Sequence, residues 1–240
     1  MTRSPSPPSG EPAPRPRKLF LFTKPAVAGR VKTRLIGELT GEQTAELHGA
    51  FLSDVCEVSA EGAFEPLIAW ALEPGETIPS GVGRLRLSGL RQDGHDLGDR
   101  LFRQLSAGSR TGAHVAALGS DHPEVRHETL NEAFDLLDDG TDVVIGPTPD
   151  GGYFLIALAA ASVRRRIFED IAWSTESVRQ QTLDRCAELG LRVVLLPLGH
   201  DVDIPPDLDA LVARLGERFG GCPATRRLLQ QWGRLAEVEP

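Results

Sequence analysis

The chain has 240 residues, a formal net charge of −8, 40% hydrophobic residues and 25% charged ones. That length makes one large domain or two small ones with a sizeable core, and the composition is that of an ordinary soluble globular protein. The acidic balance excludes broad binding to nucleic acid or to an anionic membrane, so local basic clusters point to a small anionic ligand. No apolar run is long enough to span a membrane. Cys56, Cys186 and Cys222 are widely scattered, with neither disulfide-framework nor zinc spacing. They read as reduced, buried small hydrophobes in a cytoplasmic protein.

Residues 1–17 form a Pro-, Ser- and Arg-rich tail without the apolar core of a signal peptide. It is expected to be disordered, with one domain over residues 18–240.

The body opens on Leu19-Phe20-Leu21-Phe22, an apolar run of the kind that makes a strand buried on both faces. Pro25 and Gly29 then break the strand and let the backbone turn. Lys24, Arg30, Lys32 and Arg34 surround that turn, where a helix could begin. Such a loop can gather backbone N–H groups and cations around one anion, most simply a phosphate. The G-x-x-x-x-G-K-[ST] pattern is not met, because Val31 precedes Lys32-Thr33 where a glycine is required, and there is no G-x-G-x-x-G. The alternative is a strand–helix turn with solvated basic residues.

Gly41 to Glu61 reads as a helix, its inner face carrying Leu47, Phe51, Asp54, Val55 and Val58. His48 lies beside that face as a surface or core histidine rather than a ligand. Strands are expected over Phe64–Leu72 and briefly over Leu85–Leu87, with a turn at Pro74-Gly75-Glu76. Asp96 suits the N-cap of a helix through Leu105, and Arg100 either belongs to that helix or reaches a ligand.

His114 to Gly119 is a strand of small apolar residues, followed by Ser120-Asp121-His122-Pro123. Asp121 reads either as the cap of a helix over Glu124–Leu137 or as a metal ligand at the carboxyl end of a buried strand. Strands follow over Asp142–Pro147 and Tyr153–Leu158, joined by Thr148-Pro149-Asp150-Gly151-Gly152, whose glycines mark a bend or a close ligand approach. A helix through Leu189 is expected to open at Trp173-Ser174-Thr175, capped by Ser174 or Thr175. The last strand, Arg192–Leu196, leads to Asp201 and Asp203, two apart and so on one side of an extended segment. They suit a hard divalent cation if a third carboxylate converges. Closing helices are expected over Leu208–Phe219 and Arg226–Leu235. The alternation of strands and helices argues for one α/β domain with a mostly parallel sheet.

Several stretches together carry a resemblance: Phe22-Thr23-Lys24-Pro25 with Gly29 to Leu35, Gly119 to Pro123, Gly146-Pro147 with Asp150 to Tyr153, and Asp201-Val202-Asp203 with Pro206-Asp207-Leu208. Asp96 to Leu101 and Trp173-Ser174-Thr175 fit the same pattern. The chain resembles the bacterial GT-A-superfamily proteins labelled glycosyltransferases, some of them associated with radical-SAM and selenium-related gene sets. More distantly it is similar to 2-phospholactate and molybdenum-cofactor guanylyltransferases.

The resemblance implies a nucleotide-diphospho-sugar transferase fold, with a central mixed, mostly parallel sheet between helices. It places nucleotide phosphates on Lys24, Lys32 and Arg34, in a binding set with Gly29, Arg30, Thr33, Arg100, Gly151 and Gly152. It makes Asp121, Asp201 and Asp203 ligands of Mg²⁺ or Mn²⁺. The sequence departs from the Asp-x-Asp of many GT-A glycosyltransferases, having Ser120-Asp121-His122 instead.

Two reactions fit. In nucleotidylyl transfer, a small phosphorylated acceptor attacks a nucleoside triphosphate with Lys32 and Arg34 stabilising charge. In glycosyl transfer from a nucleotide-sugar, Asp150 is the candidate base. The basic loop and the split aspartates favour the first narrowly; a non-catalytic nucleotide-binding protein is a further alternative. The oligomeric state is not legible.

Overall fold

The computed structural model describes residues 15–80, 87–217 and 221–236. Seven strands form one sheet: β1 (Arg17–Thr23), β2 (Glu65–Trp70), β3 (Ser88–Arg91), β4 (His114–Gly119), β5 (Val143–Pro147), β6 (Tyr153–Leu158) and β7 (Val193–Leu195). Their order is β3-β2-β1-β4-β6-β5-β7. β6 runs antiparallel to β4 and β5, and every other pairing is parallel. The helices are α1 (Gly41–Ala60), α2 (Leu97–Ser109), α3 (His127–Asp138), α4 (Val178–Glu188), α5 (Pro205–Glu217) and α6 (Pro223–Gln231).

Alternation along the strands builds two cores. Leu19, Leu21, Ala116 and Leu118 face one side and pack with residues of α1 and α3; Phe20, Val115 and Ala117 face the other with residues of α2 and α4. That double burial explains why β1, β4 and β5 read as unbroken apolar runs. A third cluster joins Leu47 and Phe51 of α1 to α5 and α6. It is held partly by Asp54, whose carboxylate accepts from the Ala224 and Thr225 N–H groups at 2.8 and 2.9 Å. Cys222, at the N-cap of α6, makes no side-chain cap bond, so Asp54 caps that helix from α1. Asp54→Ala is expected to cost about 1–3 kcal/mol, read as a lower urea midpoint.

The chain moves outward from β1 to β2 and β3, then returns to β4 on the other side of β1. The crevice at the carboxyl ends of β1 and β4 is therefore the topological switch point, where open α/β sheets take ligands.

Several boundaries differ from expectation. β1 already includes Arg17, whose guanidinium bonds Asp135 and Asp138, and Pro16 O accepts from His114 N at 2.8 Å. Residues 1–14 of the expected tail lie outside the described residues. So do residues 85 and 86 of the expected third strand; the strand found, β3, starts at Ser88. No long helix follows the basic loop, only a 3₁₀ turn over Thr33–Leu35; α1 waits for the Thr40–Gln43 capping box. α4 starts at Val178 rather than Ser174, because Ser174 has a left-handed φ of 66° that no helix accepts. No described helix is long and apolar enough to cross a membrane.

Candidate active site

The segments after β1, β4 and β7 meet at the switch point. Register places Phe22 opposite Gly119, so Thr23 and Ser120 are neighbours, and the Thr23 hydroxyl donates to Ser120 Oγ at 3.0 Å. Val202 N donates to Asp121 O at 3.0 Å, pinning the 201–203 segment to the end of β4. Asp121, Asp201 and Asp203 are thereby brought together from two chain regions.

Lys32 stands at their centre. Its Nζ lies 2.6 Å from Asp121 Oδ1, 3.0 Å from Asp203 Oδ1 and 2.6 Å from the Val202 carbonyl oxygen. Burial pulls its pKa down, but the two carboxylates more than reverse that and hold it above the ordinary lysine value. Burial acts the opposite way on Asp121, and Lys32 with His48 holds that carboxyl below its ordinary value. Asp201 has no such partner: Oδ1 is buried without a hydrogen bond. Burial and the charges of Asp121 and Asp203 push it up to about 8.

This geometry settles which residues cap helices. The N-cap of α3 is Arg126, more than a helical turn beyond Asp121, so Asp121 does not cap that helix. At α5 it is Asp207 whose carboxylate accepts from the Asp203 and Ile204 N–H groups, both at 3.0 Å. Neither Asp201 nor Asp203 is needed as a cap.

The four cations of the basic loop divide into two pairs. Arg30 is engaged by Glu73 and Glu76 of the β2–β3 connection. Lys32 is likewise engaged, by Asp121, Asp203 and the Val202 carbonyl. Lys24 and Arg34 are exposed and have no ion pair among the described residues; Arg34 borders the cleft described below. Thr33 is exposed at the start of the 3₁₀ turn, and Gly29 has a φ of 76° with open space where a side chain would stand.

On the opposite wall lies the β5–β6 hairpin tip. Asp150 Oδ1 accepts from the Thr148 hydroxyl at 2.6 Å and from Gly152 N at 3.1 Å, so it shapes the turn. Gly151 has a φ of 85°, and a Cβ there would collide with the Glu176 carbonyl. The turn itself thus requires glycine at 151. Arg100 does not reach this site; its Nε donates to Gly94 O at 3.1 Å, bracing the loop before α2. A cleft of about 170 Å³ runs between Arg34, Asp150, Asp201, Asp203, Ile204 and Arg214.

His48, read from the sequence as a surface or core histidine rather than a ligand, is a core one. It is buried, with Nε2 at 3.1 Å from both Thr23 Oγ1 and Lys24 O. Its Nδ1 has no hydrogen-bond partner and stands 3.8 Å from Asp121 Oδ1. Burial lowers its pKa below the ordinary histidine value.

Against known proteins, a family model described as "Uncharacterized protein conserved in bacteria (DUF2064)" matches residues 57–175. No curated protein matches the chain. Among solved structures, a "putative nucleotide-diphospho-sugar transferase" from Desulfovibrio desulfuricans G20 is 28% identical, with a TM-score of 0.79, covering 90% of this chain and 94% of that one. The fold is the nucleotide-diphospho-sugar transferase fold. A cytidylyltransferase from Leptospira borgpetersenii serovar Hardjo-bovis (strain JB197) shares it at 11% identity and a TM-score of 0.53, over 94% of this chain and 99% of that one. A CMP:2-keto-3-deoxy-manno-octonic acid synthetase complexed with CTP does so at 12% and 0.50, over 85% and 100%. These agree with the fold that the sequence resemblance implied. The DUF2064 match ends before Asp201 and begins after Lys32, so it spans only one of the three segments that build the carboxylate cluster.

Among the described residues no three His, Cys, Asp or Glu side chains are already set around one ion position. The donor set still suits a hard divalent cation in its chemistry: all-oxygen carboxylates, one with a buried oxygen lacking any partner.

Proposed function

We propose that this protein is a nucleotide-using transferase, acting as a nucleotidylyltransferase that moves a nucleoside monophosphate from a triphosphate to a small phosphorylated acceptor. The observation that carries the reading is the pair of cations without ion-pair partners among the described residues, Lys24 and Arg34, beside three carboxylates at the switch point. The likeness to the Desulfovibrio protein supports the transferase class. Lys24 and Arg34 bind and orient the phosphates, so that an acceptor phosphate oxygen attacks the α-phosphorus in line and pyrophosphate leaves. Asp121, Asp201 and Asp203 would hold Mg²⁺ or Mn²⁺, which neutralises charge on phosphate oxygens when bound.

Glycosyl transfer from a nucleotide-sugar is the second reading, and it needs a base for the acceptor hydroxyl. Asp150, its candidate, is engaged in holding its own turn. Attack by a phosphate needs no such base, and this favours the first reading.

The test supplies the four ribonucleoside triphosphates with Mg²⁺ and a panel of small phosphate monoesters, and sugar nucleotides with a panel of alcohols. Pyrophosphate release that depends on a monoester is expected. Nucleoside diphosphate release from sugar nucleotides alone would transfer the assignment to the second reading. Lys24→Ala and Arg34→Ala should each weaken nucleotide binding by about 1–3 kcal/mol, the range for a lost charge-assisted hydrogen bond, with the melting temperature unchanged. Titration calorimetry and a thermal melt check both halves.

A further inference from the structure

We infer that Lys32 is the site's resident counter-ion, holding Asp121 and Asp203 in the free protein and giving up their oxygens when a divalent ion arrives. The inference rests on the metal reading above and concerns what that ion must displace.

An ammonium has three donors. Lys32 Nζ donates to the Val202 carbonyl at 2.6 Å and to Asp203 Oδ1 at 3.0 Å, and it is ion-paired with Asp121 Oδ1 at 2.6 Å. The side chain is 2% exposed, and its ammonium sits 5.6 Å from the centre of the Phe51 ring. In the free protein its charge is already engaged by two carboxylates. The same two carboxylate oxygens lie within 3.0 Å of this one charge, which is where a bridging cation would have to act. A divalent ion and the ammonium therefore compete, since both cannot take the same oxygens at once.

The backbone shows that Lys32 is held there by its contacts. It has φ 48° and ψ 36°, the left-handed region that disfavours a residue with a Cβ. Such a conformation persists only where surrounding contacts fix it. Once its acceptors bind another cation, the residue loses what fixes it, and a nucleotide phosphate is the nearest new acceptor for its charge. Ion and nucleotide should then bind with positive coupling, each making the other's site better.

The experiment titrates Mn²⁺ against the full chain, followed by electron paramagnetic resonance, for wild type and Lys32→Met. Each is measured alone and with saturating tripolyphosphate or each ribonucleoside triphosphate. Wild type alone is expected to bind Mn²⁺ weakly, and Lys32→Met at least tenfold more tightly. Equal or weaker binding by Lys32→Met overturns the inference while leaving the metal site standing. No Mn²⁺ binding by wild type with any triphosphate overturns the metal reading and this inference with it.

If Lys32→Met does not fold, the wild-type lysine ammonium resonances decide. The chain has three lysines, Lys18, Lys24 and Lys32, which Lys18→Arg and Lys24→Arg assign. One slowly exchanging signal from Lys32 is expected in the free protein, shifting when Mg²⁺ and triphosphate bind together. A Lys32 signal unmoved by bound Mg²⁺ and triphosphate would overturn the displacement.

Discussion

Asp121→Asn and Asp203→Asn are each expected to cut nucleotide turnover at least 100-fold, about 3 kcal/mol of lost transition-state stabilisation. Asparagine keeps the shape but not the charge, and both carboxylates are the partners of the buried Lys32. Each side chain is 40% exposed, so the loss of one should weaken the fold far less than breaking a fully buried pair. Steady-state pyrophosphate release, with circular dichroism to confirm the fold, is the measurement. An Asn variant that keeps its activity would show that its carboxylate plays no part in turnover.

Asp201→Asn should do the reverse to stability, raising it by about 2–4 kcal/mol at pH 7 in the absence of ligands. Its carboxyl is pushed up to about 8 in the folded protein from an ordinary value of 3.8. Below 3.8 both folded and unfolded chains hold the proton and the group costs nothing. As the pH rises toward 8 only the unfolded chain gives the proton up, so the folded state loses ground throughout that window. Asparagine removes the titration and with it the cost; the lower end of the range allows for an amide that is itself imperfectly paired. Urea unfolding at pH 7 and near pH 4 should show a gain that shrinks at the lower pH. A site residue that lowers stability by its own charge fits the general trade of stability for function.

The fold was legible because its strands carry their own evidence. β1, β4 and β5 are buried on both faces, and a run such as Val143-Val144-Ile145 has no helical reading of that length. Asp121, Asp201 and Asp203 were legible from position, lying just past strand ends. The division of labour in the basic loop was not. Arg30 and Lys32 look like Lys24 and Arg34 in sequence, and only the distant Glu73, Glu76 and Asp203 tell them apart. The partners of His48 were hidden in the same way, since Thr23 and Asp121 lie 25 and 73 positions away in the chain. The demand for glycine at 151 was hidden too, because Glu176, which packs against it, comes from a later segment.

The sheet order also sets a timetable for assembly. The antiparallel β5–β6 hairpin pairs residues close in sequence, so it can form within microseconds. The β1–β4 pairing must first close a chain of nearly a hundred residues, and the Lys32–Asp203 contact spans 171. In refolding, hairpin signals should therefore return early and ligand binding last. Recovered nucleotide affinity would report completion of the whole domain, and a chain stalled before β7 docks would show near-native strand content with no working site.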